Sequence, residues 1–132
     1  MRRQILTISI VFCSIVAHSE VNKEFLATLA RVESGNNPKA VGDNGKAIGI
    51  YQIHESYFAD AKGFNPNLRK YTYNSCFNPK ISELVVKTYL ARYCPGGSME
   101  DMARAHNGGP GWKKNKRNTN TYWGKFRRMM RK

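Results

Sequence analysis

The segment that decides the fold runs from Glu33 to Val41 and reads Glu33-Ser34-Gly35-Asn36-Asn37-Pro38-Lys39-Ala40-Val41. It joins a helical pattern to a run of turn residues. On its N-terminal side, Asn22 is a favourable N-cap, and Gly35 is the kind of residue that commonly ends a helix. Between them, apolar residues recur at helical spacing at Phe25, Leu26, Leu29 and Ala30. The pattern predicts a short helix with one apolar face.

Glu33 falls on that apolar face, because it follows Leu29 by four residues and Leu26 by seven. Burial removes water from a carboxyl and favours its neutral form, so we expect the pKa of Glu33 to be raised. A carboxylic acid in such a place can donate a proton to a leaving group. The sequence therefore predicts a general acid at Glu33, with an exposed glutamate at a frayed helix end as the alternative.

Three more helices are indicated further along the chain. Asn78-Pro79 supplies an N-cap and a proline at the first helical position, and the apolar pattern that follows stops at Pro95. Ser98-Met99-Glu100-Asp101 approximates a capping box for a helix that reaches His106. The segment from Tyr122 to Met130 is amphipathic. We therefore expect a mainly α domain.

The region from Asn36 to Tyr73 is different, because it is rich in glycine, asparagine and other turn residues. Its one apolar stretch, Ala47 to Ile53, is too interrupted for a long strand. We expect loops, a short strand or turn and a helical piece in this region. The predicted fold class is thus α+β, a small helical domain with a short, irregular β and loop region.

The first nineteen residues have the form of a cleaved secretory signal. Met1-Arg2-Arg3 is basic, residues 5–16 are mostly apolar, and Ala17-His18-Ser19 provides small residues at the cleavage position. A buried helix or a membrane anchor is the alternative, but about twelve apolar residues are too few to span a bilayer. We predict a secreted catalytic domain of residues 20–132, extracellular or, in a bacterial source, periplasmic. We expect no stable membrane insertion and a monomer.

Composition indicates one small, strongly basic domain. The chain has 132 residues, 22 Lys and Arg against 9 Asp and Glu, and a formal net charge of +13. Nucleic acid, an acidic membrane surface or an anionic polymer outside the cell would each suit this charge. The predicted secretion disfavours nucleic acid. The basic segment 113–132 carries aromatic residues at helical spacing, which predicts a helix with one buried face and one cationic face.

Cys76 and Cys94 would be the cysteines of the mature chain, since Cys13 lies in the predicted signal. In an oxidising compartment we expect them to form a disulfide, with two free buried thiols as the alternative. His54 and His106 lie in no recognised metal-ligand spacing, so we expect neither a metal nor a cofactor.

Several motifs, in order along the chain, give it a resemblance to the lysozyme superfamily. The Glu33-Ser34-Gly35 segment, the following Pro and Ala, and Gly49-Ile50-Tyr51-Gln52 resemble the soluble lytic transglycosylases. Further elements resemble the invertebrate-type (destabilase-like) lysozymes. These are Val32-Glu33-Ser34-Gly35, Gly49-Ile50-Tyr51-Gln52-Ile53, Tyr89-Leu90-Ala91-Arg92-Tyr93, Ala103-Arg104-Ala105-His106-Asn107-Gly108-Gly109-Pro110 and Tyr122-Trp123-Gly124-Lys125.

The resemblance implies a peptidoglycan-cleaving enzyme with Glu33 as proton donor and the β and loop region beside an active-site cleft. It implies that Asp43, in a shorter segment than the invertebrate-type lysozymes have, is the second catalytic carboxylate. Asp43-Asn44-Gly45 is also ordinary turn chemistry. Whether Asp43 takes part separates two mechanisms, because a lytic transglycosylase uses one glutamate as acid and then base.

Around the acid we expect substrate-binding roles for Ser34, Tyr51, Gln52, His106 and Asn107, whose side chains can hydrogen-bond or stack on sugars. His106 stands where the transglycosylases usually have tyrosine. Three functions follow: a secreted lysozyme that hydrolyses the β-1,4 bond between N-acetylmuramic acid and N-acetylglucosamine, a lytic transglycosylase with 1,6-anhydro products, and a non-catalytic cationic antibacterial or wall-binding protein. The expected partner is bacterial peptidoglycan, with electrostatic contact to the anionic bacterial surface.

Overall fold

The computed structural model of the protein describes residues 21–131. It contains five α-helices and a small antiparallel sheet. The helices are α1 (Lys23–Ser34), α2 (Glu55–Phe64), α3 (Pro79–Tyr93), α4 (Met99–Gly108) and α5 (Asn120–Met130). The strands are β1 (Val41–Gly42), β2 (Ala47–Ile48) and β3 (Ile53–His54). The predicted fold class, mainly helical with a short β region, is confirmed.

The helix boundaries follow the predicted caps. The Asn22 side chain accepts a hydrogen bond from the Phe25 backbone N–H at 2.8 Å, and Gly35 closes α1 in the left-handed conformation at φ 60°. Asn78 caps α3 ahead of its proline, and Ser98 forms a reciprocal capping box with Asp101 at the start of α4.

The sheet has the order β1-β2-β3, and every pair is antiparallel. Val41 pairs with Ile48, and Ile48 pairs in turn with Ile53. A 3-10 turn, Asp43–Gly45, connects β1 to β2. The sheet therefore carries Asp43 at one hairpin tip, and β3 leads directly into α2.

The core is built where α5 packs on α1 and where α2 packs on α3. The Phe25 and Phe126 rings lie 5.3 Å apart between α1 and α5, and both side chains are fully buried. Tyr57 of α2 stacks on Tyr89 of α3 with ring centroids 3.6 Å apart. Burial of these aromatic surfaces is the main force that holds the helices together.

The predicted disulfide between Cys76 and Cys94 is not formed, because both residues are buried free thiols. The reason lies in α3, which occupies the chain between them. Its 15 residues span about 22 Å at 1.5 Å per residue. Cys76 precedes the helix and Cys94 caps its C-terminal end. Disulfide Cα atoms must lie within about 7 Å, so a straight helix between the two cysteines excludes the bond.

The predicted signal peptide, residues 1–19, lies outside the described residues. Among residues 21–131, no helix is both long and apolar enough to cross a membrane.

Candidate active site

Three helices meet at the Glu33 carboxyl. Glu33 lies in the last turn of α1, and its side chain is 17% exposed. Tyr122 of α5 donates a hydrogen bond from its hydroxyl to Glu33 Oε1 at 2.5 Å. His106 of α4 places its Nε2 atom 3.4 Å from the same oxygen. The carboxyl is thus held from two sides through Oε1.

The pKa of Glu33 is lowered from its ordinary value, whereas the sequence predicted a raised value. Burial does raise it, and that is the largest single effect. His106 and Tyr122 act in the opposite direction, because both stabilise the ionised carboxylate, and the charge of Lys125 adds to them. The prediction was wrong because it considered only desolvation, and the donors come from distant parts of the chain.

His106 is buried, with 8% of its surface exposed, and its ring contacts protein groups on both nitrogens. Nε2 lies 3.1 Å from the backbone oxygen of Tyr51, and Nδ1 lies 2.9 Å from the Tyr57 hydroxyl. The structure therefore places His106 against Glu33 and the loop around Tyr51, and not on an open sugar-binding surface.

Ser34 links the end of α1 to the loop before Gln52. Its hydroxyl donates to the Ile50 backbone oxygen at 2.8 Å and accepts from the Asn37 backbone N–H at 3.1 Å. The hydroxyl is thus engaged within the protein. Its evident effect is to hold the two segments beside Glu33 together.

Tyr51 and Gln52 also organise the loop next to the acid. Tyr51 is buried, and burial together with Glu83 raises the pKa of its hydroxyl to about 12. The Gln52 amide donates to the backbone oxygens of Ala40 and Gly49 at 3.2 and 2.9 Å. These bonds tie the loop to the segment that follows Glu33.

Gly49 is required by both space and conformation. Its φ is +78°, and a β-carbon there would clash with the backbone oxygen of Cys76. This glycine lets the loop of Tyr51 and Gln52 lie directly on the segment that precedes α3.

Asp43 lies at the hairpin tip and does not take part in the contacts described for the Glu33 carboxyl. Its side chain is 60% exposed, and its Oδ2 atom lies 3.1 Å from Nε2 of His54. The backbone at Asp43 has φ 51°, and the next residue, Asn44, is also left-handed. His54 is the N-cap residue of α2 but makes no side-chain capping bond there. The contacts found for these two side chains are with each other.

Asn107 is exposed near the C-terminal end of α4, next to His106 in the chain. Among the five predicted binding residues it is the one that lies open to solvent. Its amide is therefore available to a ligand.

Two residues of the Glu33 surroundings were not predicted as site residues, namely Tyr122 and Tyr57. Tyr122 belongs to the Tyr122-Trp123-Gly124-Lys125 motif, but no local sequence pattern joins it to Glu33, which lies 89 positions earlier in the chain. No local sequence pattern around Tyr57 indicates its contact with His106. Burial, above all, raises the pKa of both tyrosines well above the ordinary value, so both keep their protons.

Arg104 fixes the start of α5, and so the approach of Tyr122. This buried side chain of α4 donates to the Lys116 backbone oxygen at 3.1 Å and to the Thr119 and Asn120 side chains at 2.8 Å each. Glu100, one turn earlier, accepts from the other side of the guanidinium at 2.9 Å. Because the guanidinium of Arg104 is planar and charged, its hydrogen bonds fix the orientation of the groups that accept them.

No group of three or more His, Cys, Asp or Glu side chains within residues 21–131 is arranged to hold a metal ion.

Comparison with known proteins gives a consistent result. The family described as Transglycosylase SLT domain matches residues 12–129. Lysozyme 1 of Crassostrea virginica is 32% identical over 111 residues, which cover 78% of this chain and 56% of that protein. The chain thus spans little more than half the length of this relative.

Two solved structures resemble the fold, each with a TM-score of 0.65. The crystal structure of Tapes japonica lysozyme is 27% identical and matches 80% of this chain and 87% of that one. A chain in the crystal structure of Aeromonas hydrophila PliI in complex with Meretrix lusoria lysozyme is 30% identical and matches 81% and 88%. The chain is similar to invertebrate lysozymes in both sequence and fold.

Proposed function

Because this chain belongs to the transglycosylase SLT domain family, we propose that it cleaves the β-1,4 bond between N-acetylmuramic acid and N-acetylglucosamine in bacterial peptidoglycan. Glu33 is the general acid of this reaction. The single observation that supports the proposal is the partly buried Glu33 carboxyl, held through Oε1 by Tyr122 and His106. A carboxyl fixed in this way is positioned for proton transfer.

The reaction begins when Glu33 gives its proton to the O4 oxygen of N-acetylglucosamine. The bond between that oxygen and C1 of N-acetylmuramic acid breaks, and positive charge develops at C1. In the hydrolytic route a water molecule adds its hydroxyl to C1 and returns its proton to Glu33. In this route Asp43 either bonds to C1 as the glycosidic bond breaks and is then displaced by the water, or stabilises the positive charge at C1 without forming a bond.

Membership of a transglycosylase family supports a second route. Here the C6 hydroxyl of the muramic residue closes on C1 and returns its proton to Glu33. The product is a 1,6-anhydro sugar, and no water is added. The exposed position of Asp43, paired with His54, suits this route as well, because the route does not need a second carboxylate.

Among the predicted binding residues, we propose that Asn107 contacts the sugars directly. Ser34, Tyr51 and Gln52 shape the adjoining loop through their hydrogen bonds and burial. We further propose that the protein is secreted and acts on wall material outside the cytoplasm.

The first experiment replaces Glu33 by glutamine and measures clearing of purified peptidoglycan. We expect Glu33→Gln to lower the rate by at least about a hundredfold, because the amide cannot donate a proton as an acid does. Glu24→Gln is the matched control, since Glu24 lies exposed in the first turn of the same helix. If killing or clearing persists at full strength in Glu33→Gln, the protein acts as a non-catalytic cationic agent and the proposal fails.

Mass spectrometry of the soluble products separates the two routes, because hydrolysis adds the mass of one water and the transglycosylase route does not. The activity of Asp43→Asn gives a second, independent distinction between the two routes. A hydrolase that depends on Asp43 loses most of its activity in this variant, whereas a transglycosylase retains it. Hydrated products together with a fully active Asp43→Asn variant would remove Asp43 from the mechanism.

A further inference from the structure

A buried chain of polar groups lies behind the Glu33 carboxyl. It runs from the Tyr57 hydroxyl of α2 through the His106 ring of α4 to Glu33 Oε1, over distances of 2.9 and 3.4 Å. Tyr57 and His106 are each less than a tenth exposed. These two residues are therefore placed to act on the carboxyl and not on a bound sugar.

The surroundings of His106 determine where its hydrogen sits. Nε2 faces two acceptors, the Tyr51 backbone oxygen at 3.1 Å and Glu33 Oε1 at 3.4 Å. A lone pair on Nε2 would oppose both, so Nε2 carries the hydrogen. In the neutral ring Nδ1 then accepts, and the Tyr57 hydroxyl is the donor that faces it.

The position of Tyr57 is itself fixed by packing. Its ring stacks on Tyr89 with an interplanar angle of 13° and meets the His106 ring edge-on at 5.1 Å between centroids. The Tyr57 hydroxyl thus reaches Nδ1 from a rigid platform formed by α2 and α3.

Both contacts to the Glu33 carboxyl fall on Oε1, because the Tyr122 hydroxyl from α5 and the His106 imidazole from α4 meet at this atom. Lys125 of α5 is the other charged group that acts on Glu33. Its ammonium hydrogen-bonds to the Val32 backbone oxygen at 3.1 Å. Neither Tyr122 nor His106 uses Oε2.

We propose that Tyr57 and His106 are a positioning pair for the acid: Tyr57 fixes the His106 tautomer, His106 and Tyr122 hold Oε1, and Oε2 carries the proton that is transferred. The last step rests on the proposed function. The positioning of the carboxyl does not, because it is a property of the free protein.

The first test is Tyr57→Phe, which removes the hydroxyl and keeps the ring that stacks on Tyr89. We expect kcat to fall about ten- to hundredfold with KM little changed, the usual effect of losing a group that orients a catalytic side chain. Tyr93→Phe is the matched control, because Tyr93 belongs to the same aromatic cluster but takes no part in the contacts of His106. Equal activity of Tyr57→Phe and Tyr93→Phe would overturn the role of Tyr57.

The second test measures the protonation of His106 and Glu33 in the free protein by NMR and needs no substrate. Nitrogen NMR should find the hydrogen of neutral His106 on Nε2 in the wild type and a mixture of tautomers in Tyr57→Phe. Carbon NMR titration of the Glu33 carboxyl should find a higher pKa in His106→Phe, because this variant keeps a ring but loses the Nε2 hydrogen that stabilises the ionised carboxylate. A wild-type hydrogen on Nδ1, or an unchanged Glu33 titration in His106→Phe, would overturn the proposal.

The two proposals fail in different ways. If the wild type cleaves no peptidoglycan but the NMR results are as expected, the proposed function is wrong and the positioning pair stands. If cleavage occurs but the tautomer and the titration differ from expectation, the function stands and the positioning pair is wrong.

Discussion

Tyr122 is the residue of α5 that hydrogen-bonds to the Glu33 carboxyl. Its hydroxyl lies 2.5 Å from Glu33 Oε1, a distance typical of a strong bond to a carboxylate. This bond favours the ionised form, so it contributes to the lowered pKa of Glu33. Since an acid must be protonated to act, we expect cleavage to be fastest below about pH 4.5 and to decline as the pH rises through Glu33's lowered pKa.

We predict that Tyr122→Phe raises the pKa of Glu33. Loss of the donor removes about 1.5–3 kcal/mol of stabilisation from the ionised carboxyl, so the decline of kcat/KM should move to higher pH. The measurement is the pH profile of kcat/KM on a soluble peptidoglycan fragment. Tyr71→Phe is the control, because Tyr71 contacts Lys70 and not the acid. An unchanged profile in Tyr122→Phe would contradict the prediction.

The same variant changes how stability depends on pH. In the wild type the folded-state pKa of Glu33 lies below its unfolded value, so the ionised carboxyl stabilises the fold above about pH 4.5, and this stability is lost as the pH falls through the folded pKa. Tyr122→Phe brings the two pKa values closer together. The difference in unfolding free energy between pH 7 and pH 3 should therefore be smaller than in the wild type.

At the scale of elements, the sequence predicted four of the five helices and indicated only a helical piece where the fifth, α2, lies. The caps of α1, α3 and α4 are local signals, and each lies where its pattern placed it. Helix α2 has no capping side chain and contains Gly63, so only a helical piece could be expected there. It is held by contacts with α3, which a local pattern does not reveal.

The contacts of the candidate site were also hidden from local sequence patterns. The burial of Glu33 could be predicted because the apolar stripe of α1 and the turn that follows it are local signals. Its partners lie 73 and 89 positions further along the chain, at His106 and Tyr122. Their convergence depends on how α4 and α5 pack against α1. Hence the burial of Glu33 was predictable, and the sign of its pKa shift was not.

We predict that Arg104 is essential for the docking of α5. Arg104→Ala removes the hydrogen bonds that hold residues 116–120 on α4 and should cost about 2–4 kcal/mol of unfolding free energy. The control is Lys87→Ala. Lys87 also pairs with a glutamate one turn away, but on the surface, where such a pair contributes about 0.3–0.5 kcal/mol. Urea unfolding measures both variants, and similar costs for the two would contradict the prediction.

At the scale of the whole molecule, the domain is held together by its core without disulfides among residues 21–131. Both cysteines in this range are buried thiols, and burial raises the pKa of Cys76 to about 12. Such thiols react slowly at neutral pH. Aromatic packing between α1 and α5 and between α2 and α3 provides the stability instead.

The distribution of charge is the other property of the whole molecule. The predicted basic and apolar faces of α5 are confirmed, because Phe126 is buried while Lys125, Arg127 and Arg128 are exposed. Lys113, Lys114, Lys116 and Arg117 are also exposed, in the segment that leads to α5. No acidic residue follows Asp101 in the chain. A polyanionic wall would therefore attract this side of the protein over a longer range than any single contact.

We predict that this cationic cluster accelerates the encounter with intact cell walls. Replacing Lys113, Lys114 and Lys116 by glutamine should lower kcat/KM on whole walls several-fold at low salt and leave kcat unchanged. The matched control replaces Lys23, Lys70 and Lys80 by glutamine. These lysines are also exposed but lie far apart in the sequence, and both variants lose three positive charges. At about 1 M salt the Debye length falls to about 3 Å, and the difference should disappear. Equal losses in the two variants would mean that total charge, and not its clustering beside α5, governs the encounter.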